Sequence, residues 1–373
     1  MKNLLLTISL LPFLSYSQYT MVPDPNFENF LENNGMGDGI TNNGQVLTAN
    51  IENVITLNLD SQIGVTNLTG IEDFQALEWF DFSYNLVEEV DLSQNTMLKT
   101  LGCTFNPLTS LDLSNNTQLE WISCQGNYLT SLLLSTANLM TVECFENQLT
   151  SLDVSNAPLL NHLDCNINQI AQLDVSGSPN LEQLIAWANA FTEIDVSNNQ
   201  ELTYLNLGGN HIESIDLSQN INLISFLAPY NAPLIHLDIR NGNNANMNGI
   251  NVTGTNALKC VFVDDASATY LNNWYIDPFT TFVNNEAECD ALNVPSFEKD
   301  RLVIYPNPTT GNLTVSSNKS AEYTITDVNG KTLKTGKFNL GLSRITIYEL
   351  SAGLYFFKIR TDSETLTKKI VKQ

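Results

Sequence analysis

Leu98-Lys99-Thr100-Leu101-Gly102-Cys103-Thr104-Phe105-Asn106-Pro107-Leu108-Thr109-Ser110-Leu111-Asp112-Leu113-Ser114 is the stretch that decides the fold. Its order is Leu-x-x-Leu-x-Cys-x-x-Asn followed by a second apolar alternation and a polar turn. Outward from it the same order returns, opened by Leu77, Leu98, Leu119, Leu139, Leu160, Leu181, Leu202 and Leu223, at spacings of 20 or 21 residues. Self-similarity at a fixed period is the signature of stacked units, none of which buries its apolar face alone. The alternation at Leu98–Leu101–Cys103 predicts a short strand with one buried side, and stacking predicts a parallel sheet at about 4.8 Å per turn. A turn of about 21 residues is too short to hold a real helix on the return side. Leu108–Leu111–Leu113 therefore predicts an extended, partly strand-like back, and the whole a mainly β solenoid.

Asn85, Asn106, Asn127, Asn147, Asn168, Asn189, Asn210 and Asn231 occupy one position in all eight units. An inward Asn bonds backbone groups of its own and adjacent turns, so the row is read as structural. A second row, Asp91, Asp112, Asp153, Asp174, Asp195, Asp216 and Asp238, is interrupted by Leu133. Close carboxylates repel unless hydrogen-bonded or bridged by a cation. Local backbone bonding is the expectation, with a calcium ladder as the alternative.

Charge divides the chain. Residues 18–296 hold three basic and thirty-three acidic residues, whereas 298–373 hold twelve basic and seven acidic. The change of sign places a boundary near residue 297. It also excludes nucleic acid as a partner of the large domain, since phosphate binding requires a basic face. Met1-Lys2-Asn3, the apolar run Leu4–Leu14 and Ser15-Tyr16-Ser17 form a secretory signal peptide, residues 1–17, with no integral membrane segment expected after it. Asp24-Pro25 with Phe27, Phe30 and Leu31 predicts a capped amphipathic helix over the first turn, within an N-terminal cap at 18–54. Asn34–Gly39 has too few acids for a calcium loop and is read as a turn. The repeats occupy 55–250, and a C-terminal cap 251–296 follows, with Leu258–Asp264 as its last strand. Cys260 and Cys289 of an exported protein are expected to form a disulfide holding that cap. Cys103, Cys124, Cys144 and Cys165 occupy buried leucine positions of successive turns. They are read as small apolar residues in preference to bridged pairs, and without zinc-site spacing.

From 297 to 373 the pattern changes to short alternating strands and turns, fitting a small antiparallel sandwich. Tyr305-Pro306-Asn307-Pro308-Thr309-Thr310-Gly311, the turn Asn329-Gly330-Lys331, Ser351-Ala352-Gly353-Leu354-Tyr355 and the basic ending Lys368-Lys369-Ile370-Val371-Lys372 resemble the type A sorting domain of the type IX secretion system of Bacteroidetes. Residues 22–296 resemble the leucine-rich-repeat proteins of the same bacteria. The resemblance implies export, outer-membrane translocation by the type IX machinery, and a surface-attached or released product. It makes Tyr305, Pro306, Asn307, Pro308, Gly311, Gly353, Lys368 and Lys369 the sorting signal.

In that repeat the strand positions other than the buried ones face the concave surface. Trp79, Tyr84, Phe105, Trp121, Phe145, Ile167, Trp187, Tyr204 and Tyr230 are assigned there, among Asp81, Glu143, Glu146, His162, Asp164 and Gln183. Solvent-facing rings beside carboxylates suit an extracellular protein, peptide or glycan; rings laddering along neighbouring strands for stability are the competing reading. Glu143 and Asp164 share a strand position in adjacent turns, a separation near that of retaining glycosidases. An open face, however, is expected to leave both hydrated. No phosphate loop or His-Glu-x-x-His motif is present, and no cofactor is called for. The expected function is non-enzymatic binding at the cell surface or after release. A structural surface-layer scaffold, or capture of a glycan or peptide for nutrient uptake, is the alternative.

Overall fold

A computed structural model describes residues 18–59, 64–293, 302–317, 320–339, 341–360 and 365–373; the signal peptide assigned to 1–17 lies outside them. The described residues form two compact units, divided between Cys289 and Asp290.

The first unit is a β-solenoid. Ten three-residue strands form one parallel sheet, in chain order Thr56–Asn58, Trp79–Asp81, Thr100–Gly102, Trp121–Ser123, Thr141–Glu143, His162–Asp164, Gln183–Ile185, Tyr204–Asn206, Ser225–Leu227 and Gly249–Asn251. Each pairs with its neighbour in unshifted register, as in Trp79↔Thr100 and Thr100↔Trp121. The middle residue of every strand (Leu101, Ile122, Val142, Leu163) is buried and the opening leucines stack beneath it. The sheet exceeds the eight regular units by one strand at each end. On the return side, Ser110–Leu113 pairs with Ser131–Leu134, and Ser214–Asp216, His236–Asp238, Cys260–Phe262 and Thr281–Val283 make a four-stranded parallel sheet. Leu258–Asp264 is thus not the last strand of the cap. Thr281–Val283 adds beyond it, because the intervening chain folds back through Tyr270, Leu271 and Trp274 and completes one more turn.

Both polar rows are bonded as their chemistry requires. Asn127 Nδ2 donates to the carbonyls of Cys103 in the preceding turn and Cys124 in its own, both at 3.0 Å, and its Oδ1 accepts the Leu108 N–H at 3.2 Å. The same pattern recurs at Asn106, Asn147 and Asn210. On the back, each Asp accepts the N–H two residues on, at 2.9–3.1 Å: Asp91 from Ser93, Asp153 from Ser155, Asp238 from Arg240 at 3.0 Å. Hydrogen bonds from the Ser93 backbone and hydroxyl hold the Asp91 carboxyl below the usual carboxylate range, and the Ser155 hydroxyl and N–H do the same for Asp153. A further row escaped the sequence reading. Asn95, Asn116, Asn199 and Asn220, three residues before an opening leucine, are fully buried, and Asn116 Nδ2 donates to Leu92 and Asn95 carbonyls at 3.0 and 2.9 Å.

The N-terminal helix Pro25–Asn33 is capped by Asp24, whose Oδ1 accepts the Asn26 and Phe27 N–H groups at 2.9 and 3.0 Å. Its other oxygen accepts from Thr66 N, Thr66 Oγ1 and Asn67 N, tying the cap to the first turns. Burial opposes the Asp24 charge, but these bonds outweigh it and lower the pKa. Phe27 and Leu31 are buried, with Phe27 against Phe74 at 6.3 Å. The segment Gly37–Gly44 is a turn pinned by carboxylates: Glu32 accepts from Asp38 N, and Glu28 from Asn43 N and Gly44 N.

Cys260 and Cys289 form the expected disulfide, with Cα atoms 5.9 Å apart. Cys103, Cys124, Cys144 and Cys165 are buried free thiols in successive turns. A Cys103 hydrogen bond and burial push the Cys124 thiol up, and burial does so at Cys144 and Cys165. Thiolate is the reactive form, so these thiols are inert while the stack is intact. Disulfide-exchange titration at pH 8 is expected to find no reactive thiol in the native protein and four in denaturant. Rapid labelling of the native protein would contradict the burial.

The second unit has a three-stranded antiparallel sheet (Leu302–Tyr305, Asn312–Ser317, Gly341–Thr346) and a four-stranded one (Thr332–Phe338, Ala321–Thr326, Gly353–Arg360, Thr365–Lys372). Leu313, Val315, Ile325, Phe357 and Ile370 share their core.

Candidate functional site

Each strand of the ten-stranded sheet buries its centre and turns its first and third residues outward. The first row reads Thr56, Trp79, Thr100, Trp121, Thr141, His162, Gln183, Tyr204, Ser225, Gly249. The second reads Asn58, Asp81, Gly102, Ser123, Glu143, Asp164, Ile185, Asn206, Leu227, Asn251. Trp79, Trp121, Glu143, His162, Asp164 and Tyr204 therefore share one face. The ten strands contain no Lys or Arg.

Tyr84, Phe105, Phe145, Ile167, Trp187 and Tyr230 do not sit on strands; they occupy the turns that follow. This corrects their assignment as strand positions. The physical reason lies in the backbone: the residue before each ladder Asn takes a left-handed conformation that ends the strand. Tyr84 (φ 58°), Phe105 (51°), Glu146 (53°), Ile167 (50°), Ala188 (53°) and Tyr230 (61°) hold that position, as do Gly126 (69°) and Gly209 (63°). Left-handed backbone costs a non-glycine residue roughly 1 kcal/mol or more, and more for a β-branched one. Bulky side chains at such sites are exposed, Tyr230 to 73% and Tyr84 to 45%. The alternation of Gly-Asn with Tyr-Asn or Phe-Asn was the available signal. The Tyr84 and Phe105 rings stack, centroids 4.9 Å apart and 21° between planes. The Phe105 ring lies across Gly126, where an added Cβ would stand 2.6 Å from it.

Glu143 and Asp164 are register partners on adjacent strands. Desolvation by burial pushes the Asp164 carboxyl up, with Asn166 hydrogen bonds opposing and Glu143 adding to the rise. The expectation that an open face leaves both carboxylates hydrated therefore fails at Asp164, whose carboxyl is partly buried beside its register partner Ile185. His162 Nδ1 lies 3.2 Å from Gln183 Oε1. Among the described residues no group of three or more His, Cys, Asp or Glu converges on a point where a metal would sit, and no helix is long and apolar enough to cross a membrane.

In the second unit two separate sequence signals meet. Asn307 Nδ2 donates to the Lys369 carbonyl at 2.7 Å and its Oδ1 accepts the Val371 N–H at 2.8 Å, while Thr309 N–H donates to Val371 at 2.8 Å. The Tyr305–Gly311 motif is thus laced to the basic last strand that carries Lys368 and Lys369. Gly311 (φ 139°) packs on the Tyr348 ring, where a Cβ would come within 2.3 Å. Tyr305 is exposed, the Tyr305–Pro306 and Asn307–Pro308 bonds are cis, and Gly353 begins the strand paired with the last one.

No curated protein matches the chain by sequence. Among solved structures, the functional domain of InlJ from Listeria monocytogenes, which includes a cysteine ladder, is similar over 96% of this chain and 100% of its own, at 19% identity and a TM-score of 0.49. A leucine-rich-repeat protein of Leptospira interrogans is similar over 66% of each chain, at 18% identity and a TM-score of 0.43. An internalin of Listeria monocytogenes is similar over 70% of this chain and 96% of its own, at 16% identity and a TM-score of 0.35. Residues 303–373 match the secretion system C-terminal sorting domain. The chain is a β-solenoid built on a leucine repeat of 20 or 21 residues, similar to solved leucine-rich-repeat proteins, and carries at residues 303–373 a secretion system C-terminal sorting domain.

Proposed function

We propose that this protein is an exported, non-enzymatic binding protein whose solenoid recognises an extracellular protein or glycan with the outward face of its ten-stranded sheet and the turns beside it. The sorting domain indicates export by type IX secretion to the cell surface or beyond. One observation supports the binding surface above the others: bulky residues stand exposed on left-handed backbone at Tyr84, Phe105, Ile167 and Tyr230, where glycine serves the fold better. Backbone strain retained under an exposed ring points to a use for the ring. Trp79, Trp121, Trp187 and Tyr204 add large side chains of the kind that dominate binding energies. Glu143, His162 and Asp164 supply polar contacts between them.

The test is binding of the protein to glycan and extracellular-protein arrays, beside a Trp121→Ala/Trp187→Ala variant of unchanged melting temperature. Two anchor residues of this type are expected to cost about thirtyfold or more in affinity. Binding that survives the double substitution moves the site off this face, and silence on both arrays favours a surface scaffold.

A further inference from the structure

The proposal rests on the binding reading above and narrows the partner. Trp79 and Trp121 stand in one outward row with only Thr100 between them, roughly 10 Å apart at two strand spacings. In the second row at the same place stands Gly102, buried between Asp81 and Ser123. Gly102 has no side chain, and the Asp81 carboxylate leans over it, so that a Cβ added there would lie 2.7 Å from Asp81 Oδ2. Ser83 N–H donates to Asp81 Oδ1 at 2.8 Å and fixes that orientation. The stacked Tyr84 and Phe105 rings belong to the same two turns. Two indoles, a stacked ring pair and one oriented carboxylate therefore lie on adjoining turns around Thr100 and Gly102.

Charge selects what fits. Glu78, Lys99 and Glu120 occupy the position just before the first row; Lys99 Nζ is held by Glu78 Oε2 at 2.8 Å, and Glu120 adds to the field on it. Counting Asp81, this cluster is net negative, on a solenoid with three basic and thirty-three acidic residues between 18 and 296. A neutral sugar would use the rings and leave the field unused, and an acidic glycan would be repelled. A guanidinium is flat, stacks on indole and pairs with a carboxylate through parallel N–H groups. We infer that the Trp79–Asp81–Trp121 cluster receives an arginine side chain of a basic partner protein or peptide.

The experiment uses the full-length protein at low ionic strength, with a fluorescein-labelled peptide of four Gly-Ser-Arg repeats and its Gly-Ser-Gln counterpart. The Arg peptide is expected to bind and the Gln peptide not. Asp81→Asn, which keeps an oxygen for the Ser83 N–H, is expected to weaken binding about tenfold, and Trp79→Ala/Trp121→Ala at least as much. Asp174→Asn on the back of the solenoid makes the same charge change and is expected to leave binding within twofold. Equal losses in Asp81→Asn and Asp174→Asn would mean diffuse attraction and overturn the proposal, as would no binding of the Arg peptide. An array-identified neutral glycan lost in the Trp79/Trp121 variant but retained in Asp81→Asn would also overturn it while leaving the binding face in place. An array ligand unaffected by the Trp121/Trp187 double substitution would instead remove that face.

Discussion

Asn127→Ala is expected to destabilise the solenoid by about 3–5 kcal/mol, a large share of the roughly 5–15 kcal/mol that holds a typical domain together. The side chain is 4% exposed and spans two turns: it donates to Cys103, Cys124 and Gln125 carbonyls and accepts from Leu108 N–H. Truncation leaves those backbone groups inside the stack without the partner they use, and each buried polar group so orphaned costs about 1–3 kcal/mol. Alanine cannot admit enough water to replace four bonds at a site packed between Cys103 and Cys124. Asn127→Asp is expected to fail as well, because a carboxylate keeps the acceptor but loses both donors and buries a charge. Asp112→Ala is the control. Its carboxylate also accepts one backbone N–H, from Ser114 at 3.0 Å, but from the exposed back, where water takes its place. Urea unfolding of the three variants beside the parent decides the matter. An Asn127→Ala midpoint equal to that of Asp112→Ala would show that the ladder contributes no more than the exposed turn does.

The contrast between those two rows also explains what was legible in the sequence. Asn85 to Asn231 and Asp91 to Asp238 both repeat visibly, since each fills one chemical role from turn to turn, with Leu133 interrupting the second. The end strands Thr56–Asn58 and Gly249–Asn251 were hidden for a physical reason. Val54 and Met247 stand where the opening leucines stand elsewhere, and the spacing to the next leucine stretches to 23 residues after Val54 and 24 before Met247. The sheet register is set by stacking, so it absorbs such insertions in the turns while the sequence period breaks. The inner row of Asn95, Asn116, Asn199 and Asn220 was masked because Thr136, Ala157 and Ser178 hold the same position in intervening turns. At the candidate site, the side-chain types were readable and their places only in part. Trp79 and Trp121 follow from strand alternation, whereas Tyr84, Phe105 and Tyr230 depend on a left-handed backbone that no periodicity in apolar residues reveals. Desolvation of Asp164 depends on its burial between stacked turns, a three-dimensional property.

Removing the Cys260–Cys289 disulfide is expected to cost about 3–4 kcal/mol, the chain-entropy value for residues separated by 29 positions. The loss should be local. Thr281–Val283 is the outermost strand of the back sheet, pairing on one side only, with Cys260–Phe262. The helix Glu286–Asn293 follows it, and Cys289 fastens that helix to Cys260 in a small cluster with Phe262 and Val283. Other ties there are weaker. Arg240 reaches Glu286 at 2.9 Å, but Glu286 is largely exposed, and exposed ion pairs contribute about 0–1 kcal/mol. Trp274, against Phe282 at 5.7 Å and Tyr270 at 6.1 Å, holds the preceding turn but not the helix. In the Cys260→Ser/Cys289→Ser variant, stacked turns should let the C-terminal cap fray before the rest, since each turn is supported only by its neighbours. Hydrogen exchange is therefore the informative readout. Protection at Thr281–Val283 and Cys260–Phe262 should fall by orders of magnitude, while Trp121–Ser123 in the middle of the stack keeps its own. An open edge strand is also a template for pairing with another chain, so the variant should self-associate more than the parent as concentration rises. If cap and centre lost protection equally, the solenoid would be unfolding as one unit and the disulfide would be stabilising the whole stack; if neither lost any, the aromatic packing around Trp274 would suffice to close the end.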